Sequence, residues 1–204
     1  MRVVAIEKLK RPRQARILFP DGSQLTLDSR VLAESGLSTD HEVSPEALAE
    51  LCRGHERRRA MDSALRLIAY RPRSEADIRA RLARKQLDQS VIDETVQRLR
   101  ELGLIDDEAF ARSWVESRMR SSPRGKGLIC WELRSQGVDP ELAQEATSEI
   151  DDEEAAYSAA LRKAAKSGSY SDYRKLRDFL LRRGFGYQTV ARALRRVEEE
   201  APGQ

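Results

Sequence analysis

Residues 75–87 read EADIRARLARKQL, and the same pattern returns at residues 127–138 (GLICWELRSQGV) and 173–185 (YRKLRDFLLRRGF). Each copy places an apolar residue one helical turn before a second: Ile78 and Leu82, Ile129 and Leu133, Leu176 and Leu180. Each then carries Arg or Lys close to its end. Recurrence at a spacing of roughly 50 residues is the signature of stacked helical units, which generally present surfaces to other macromolecules instead of enclosing a reaction.

The flanking sequence supplies the other helices. Met61, Leu65 and Ile68 have helical spacing, and the chain before Pro72 is pushed out of helical geometry. Ser74-x-x-Asp77 is a variant capping box opening the second helix, and Ile92, Val96 and Leu99 mark a third that stops at Gly103. A second unit follows as helices over 106–119, 127–136 and 140–150, with Phe110 and Trp114 inward, and a third over 152–166, 171–183 and 187–197. Tyr157, Leu161 and Ala164 line its first helix, and Val190, Leu194 and Val197 its last, with Ser167-Gly168-Ser169 a loop between its first two helices. The repeats are assigned to 61–105, 106–150 and 151–200. Ser44-Pro45-Glu46 opens a connecting helix over 45–60, with Gly54 a candidate break between two helices.

Residues 1–44 differ. The stretch 3–9 is β-branched and apolar, and 15–19 and 24–28 alternate around Pro20-Asp21-Gly22-Ser23, a hairpin turn by composition. This predicts a small antiparallel sheet covered by a short helix from Ser29 to near Gly36. The fold class is therefore mainly α, three tandem three-helix repeats behind an N-terminal β-hairpin or sheet.

Apolar residues make up 40% of the 204, charged residues 35% and aromatics 5%, so several small cores fit better than one large one. The net charge of +3 hides a blocked distribution. Residues 53–85 hold eleven basic and four acidic side chains, 139–156 hold eight acidic and no basic ones, and 162–196 hold eleven basic and two acidic. Two distant cysteines, Cys52 and Cys130, give no disulfide framework. Only four apolar residues follow Met1-Arg2 before Glu7, and no uncharged apolar run approaches membrane-spanning length. These features predict a cytoplasmic protein away from the membrane.

Chemistry finds little support. Cys52-x-x-His55 is half of a zinc site without another half nearby, and Gly125-Lys126-Gly127 lacks the glycine spacing and the Ser or Thr of a phosphate loop. The clusters Asp106-Asp107-Glu108 and 151–154 open helices, where acids stabilise the dipole. No catalytic residue, metal or cofactor is expected. The basic residues are the candidate interface for a polyanionic partner such as DNA: Arg79, Arg81, Arg84 and Lys85 in the first unit; Arg118, Arg120, Arg124 and Lys126 in the second; Arg182, Arg183, Arg192, Arg195 and Arg196 in the third. Arg124-Gly125-Lys126-Gly127 precedes a helix whose first amides would welcome a phosphate or a carboxylate. Trp114 reads as core, whereas Trp131 lies off the Ile129 and Leu133 stripe and is a candidate to pack between repeats.

The stretch 64–86 (ALRLIAYRPRSEADIRARLARKQ), then 102–111 (LGLIDDEAFA), Arg118 and 124–138 (RGKGLICWELRSQGV) resemble the RecX regulatory family of bacteria. The resemblance covers residues 60 to 200 and rests most on Arg73-Ser74-Glu75 and Asp107-Glu108-x-Phe110-Ala111. It implies an elongated, curved array of three three-helix repeats. It also implies binding to the RecA recombinase and its filament on single-stranded DNA, mostly inhibiting ATPase and recombinase activity, with weak DNA binding and no catalysis. An elongated monomer is the simplest expectation. The matching positions Arg73, Ser74, Glu75, Leu82, Asp107, Phe110, Leu133 and Gly137 look architectural. A nucleic-acid-binding module acting through phosphate contacts is the alternative, and a metal-dependent hydrolase or nuclease using the acidic clusters is the third class.

Overall fold

A computed structural model describes residues 1–9, 13–167 and 173–200. The chain divides into two compact units, residues 1–72 with 78–104, and residues 73–77 with 105–204.

The first unit begins with β1 (Ala5–Lys8), β2 (Gln14–Leu18) and β3 (Gln24–Asp28), an antiparallel sheet in the order β1-β2-β3. Register pairs Ile6 with Ile17 and Ile17 with Leu25, and the turn is closed by Asp21, whose carboxylate accepts from the Ser23 amide at 2.9 Å. Asp28 then caps α1 (Ser29–Ser35), which ends at Gly36 with φ of 65°. Val3, Ile17, Phe19, Leu27, Leu32, Val43 and Leu51 form one core beneath the sheet, so the three strands gain the helical cover that a small sheet needs.

The Ser44-Pro45 start produces α2 (Pro45–Tyr70), one continuous 26-residue helix. Gly54 does not break it. A Cβ there would lie 3.3 Å from Val31 Cγ1, so the missing side chain lets α1 lie close against the helix. The helical spacing of Met61, Leu65 and Ile68 does lie within this helix, with Met61 and Ile68 half-buried and Leu65 exposed, but the fully buried residues of the stretch before α4 (Gln89–Glu101) are Ala60, Ser63 and Ala64. Small side chains win here because they permit close helix packing. α3 (Glu75–Ala83) buries Ile78 and Leu82, and α4 buries Val91, Ile92, Val96 and Leu99, as their spacing predicts.

In the second unit, α5 (Asp107–Ser121), α6 (Lys126–Ser135) and α7 (Pro140–Thr147) enclose Phe110, Ala111, Ile129, Leu133, Val138 and Ala143. α8 (Asp152–Ser167), α9 (Tyr173–Leu181) and α10 (Tyr187–Glu200) enclose an alanine-rich core with Tyr157, Leu176, Leu180, Phe185, Val190, Leu194 and Val197. Met119 packs against both cores. The expected start of α9 at Ser171 and most of the loop after Ser167 lie outside the described residues.

Candidate interface and the joints between repeats

The middle helices end in one local device. Leu133 and Leu180 each accept from the amide five residues on, Val138 at 3.1 Å and Phe185 at 3.4 Å, around Gly137 (φ 80°) and Gly184 (φ 79°). Such a left-handed residue stops a helix while satisfying its last carbonyls. In the first repeat the corresponding residue is Gln86, with φ of 57°.

These helix ends receive the start of the preceding middle helix. Ser74 Oγ accepts from the Asp77 amide at 3.2 Å, as its capping role predicts, and also donates to the Gln136 carbonyl at 2.5 Å. One repeat later, Gly125 occupies the place of Ser74 and its amide donates to the Arg183 carbonyl at 2.9 Å. The next amide is satisfied by a carboxylate from the following repeat in both cases: Glu75 N–H donates to Asp107 at 2.8 Å, and Lys126 N–H to Asp152 at 2.7 Å. Contacts are close enough to exclude side chains. A Cβ on Gly137 would overlap Ala76, one on Gly125 would overlap the Gly184 carbonyl, and one on Gly184 would lie 2.6 Å from Leu128 Cβ.

The paired acids at 106–107 and 151–152 thus divide two tasks. Asp106 caps its own helix through the Ala109 amide at 3.0 Å, and Asp151 caps α8 through Glu153 at 2.9 Å. Their neighbours Asp107 and Asp152 reach back to the preceding middle helix. Of the amides at 124–127, that of Lys126 does receive an anion, the chain's own Asp152, while that of Gly125 is taken by the Arg183 carbonyl. His55 likewise has a structural partner, its Nδ1 accepting from the Asp28 amide at 2.9 Å. Burial, then Arg59, lowers the pKa of His55, which keeps the ring neutral and able to accept.

The structure sorts the thirteen basic candidates into two groups. The engaged group starts at Glu132, whose side chain is only 11% exposed yet collects Trp114 Nε1 at 3.0 Å, Arg118 Nε at 2.7 Å and a close contact from Arg124. Burial pushes this carboxyl up, but hydrogen bonds from Arg118 and Trp114 and the charges of Arg118 and Arg124 outweigh it, and the net shift is downward. Arg118 also lies over the Trp114 ring at 4.4 Å, and Trp114 packs on Phe110 with ring centroids 5.6 Å apart. Arg79 pairs with Asp93, Arg192 with Glu153 at 3.1 Å, and Arg196 with Glu154 at 2.6 Å and Glu200 at 2.9 Å. Arg183 donates to the Ser122 hydroxyl and to the Pro123 carbonyl at 3.2 Å, and Arg81 is half-buried on α3.

The exposed group is smaller. Arg84, Lys126, Arg182 and Arg195 have exposed side chains, with no carboxylate oxygen within 4.0 Å among the described residues. Lys85 is exposed and donates to Ser63 Oγ at 3.0 Å, and Arg120, also exposed, lies 3.8 Å from Glu116. Trp131 does not pack between repeats: it is 63% exposed, as is Tyr187 at 78%. Glu132 is the residue that sequence reading missed. Its only signal is a glutamate beside Leu133 on an otherwise apolar helix face, opposite Trp114 and Arg118 at four-residue spacing. Among the described residues no group of three His, Cys, Asp or Glu side chains could hold a metal, and no helix is long and apolar enough to cross a membrane.

Three family models match in order: the first three-helix domain of RecX over residues 60–99, the second over 106–146 and the third over 151–194. The regulatory protein RecX of Geobacillus kaustophilus is 32% identical over 187 residues, covering 87% of this chain and 70% of that one. That of Chlorobium phaeobacteroides is 34% identical over 142 residues, covering 69% and 94%. A crystal structure of regulatory protein RecX superposes with a TM-score of 0.65 at 23% identity, covering 98% of this chain and 99% of that one, which supports the fold. With all three helical domains matched in sequence and the joints between them built alike, the chain belongs to the RecX family of regulatory proteins.

Proposed function

We propose that this protein binds the RecA recombinase, above all its filament on single-stranded DNA, and inhibits its ATPase and recombinase activity without catalysis of its own. The observation that carries this reading is membership of the RecX family through all three helical domains. The sorted charges support a mode of binding. Cations held by Glu132, Glu153 and Glu154 serve the fold, while Arg84, Lys126, Arg182 and Arg195 face solvent and are available to acidic protein surfaces or phosphates. Similar helical units in one chain add modest contacts through effective concentration, so no single contact has to be tight. The protein acts in the cytoplasm as a monomer.

The test is DNA-dependent ATP hydrolysis by RecA from the same cell. Suppression at substoichiometric ratios is expected; no effect at any ratio, with binding to RecA undetectable, overturns the reading. A salt titration on bare single-stranded DNA separates the alternative. Tight binding that falls steeply with ionic strength, beside unaffected RecA, would mark a module working through phosphate contacts.

A further inference from the structure

Beside the joint between the last two repeats lies a cavity of about 280 Å³ lined by Arg162, Lys163, Arg183, Ser121, Ser122 and Phe179 and, among the described residues, by no acidic one. Its cations are oriented. Arg183 is fixed by Ser122 Oγ and the Pro123 carbonyl and lies over the Phe179 ring with its guanidinium carbon 4.3 Å from the centroid, while Lys163 Nζ sits 5.9 Å from the centre of that ring. Arg162 donates to the Arg120 carbonyl at 2.7 Å.

A structural account of these side chains exists: the last turn of α5 offers its carbonyls and the negative end of its dipole. That end amounts to about half an elementary charge, which does not balance two guanidinium groups. No carboxylate lies within 4.0 Å of Arg162 or Arg183 among the described residues, in contrast to Arg118, Arg124, Arg192 and Arg196 on the same unit. Burial and the neighbouring Arg124 both lower the pKa of Arg183, which indicates a site where added negative charge is favoured.

We propose that this cavity binds a phosphate group, with Arg162 and Arg183 as its cationic ligands and the Ser122 hydroxyl, which accepts from Arg183, as a further donor. A guanidinium presents paired N–H groups that match phosphate oxygens. The phosphate can be carried by a free anion or by a nucleic-acid strand, and the site does not depend on RecA being the partner.

The test is chemical-shift mapping of the full chain, titrated at constant ionic strength with inorganic phosphate, with a short oligothymidylate, with phosphate-free thymidine and with sodium chloride. Saturable shifts at Ser121, Ser122 and Arg183 with phosphate or the oligonucleotide, and not with thymidine or chloride, are expected. The tighter of the two active probes identifies the source. Arg162→Gln, an exposed change, should weaken binding by roughly tenfold, and Arg183→Lys should weaken it while the fold is retained. Equal responses to chloride, shifts centred elsewhere, or unchanged affinity in folded Arg162→Gln would overturn the proposal.

Discussion

Replacing Glu132 with alanine should destabilise the second unit by about 2–3 kcal/mol, a value set between two limits. Removing one partner of a fully buried ion pair costs about 3–5 kcal/mol, because the surviving charge is left without compensation. An exposed pair contributes about 0–1 kcal/mol. Glu132 is nearly buried, but Arg118 and Arg124 keep 29% and 32% of their side-chain surface in water, so the abandoned guanidinium groups recover part of their hydration. The Trp114 N–H loses its acceptor as well. Glu132→Gln keeps one carbonyl oxygen for these donors while losing the charge, and should cost less, about 1–2 kcal/mol. Both tryptophans lie in this repeat, Trp114 on α5 and Trp131 on α6, so urea unfolding followed by fluorescence reports on it directly. Glu132→Ala combined with Arg124→Ala should be less destabilising than the sum of the single changes. A loss below about 0.5 kcal/mol for Glu132→Ala, with additive behaviour in the pair, would refute the claim that these arginines are held by the fold.

Other expected outcomes use the same logic. Gly184→Ala should cost about 2–3 kcal/mol in urea unfolding, from the positive φ and the crowding against Leu128, whereas Gln86→Gly should stabilise the first unit by about 0.5–1 kcal/mol by relieving the same backbone geometry. Asp107→Ala and Asp152→Ala should each cost about 0.5–2 kcal/mol through loss of a helix-start acceptor, measured by the same unfolding. The pH dependence follows from two lowered pKa values. His55 binds its proton less readily folded than unfolded, so its contribution is complete above the ordinary value of 6.5 and is lost as pH falls through the lower folded value. The Glu132 contribution is complete above its ordinary value of 4.5 and is lost as pH falls from there through its depressed folded value, so Glu132→Gln should flatten the acid limb of the stability curve between those two values.

Much of the fold could be read in the sequence because its signals are local. Ser44-Pro45, Asp106 and Gly103 mark helix boundaries through their own backbone and cap chemistry, and the Ile129 and Leu133 spacing names a buried face without reference to any other segment. What failed depended on a distant partner. Gly54 reads as a helix break until α1 lies against it, and Ala60 and Ala64 carry little hydropathy yet form the packed face. Arg124 and Arg118 look like surface cations until Glu132 is placed between them. The double role of Asp107 and Asp152 had a trace in sequence: Pro72-Arg73-Ser74 and Pro123-Arg124-Gly125 are each followed by an Asp-Asp pair at the next unit. That trace names no contact, because hydrogen bonds between residues 26 or 32 positions apart have no local signature.

The division of the basic residues is tested most directly by binding to preformed RecA filaments on single-stranded DNA. The protein carrying Arg84→Glu, Arg182→Glu and Arg195→Glu should keep its unfolding midpoint and bind the filament at least roughly tenfold more weakly, since each reversal replaces an attraction with a repulsion. Unchanged filament affinity in that folded variant would contradict the account.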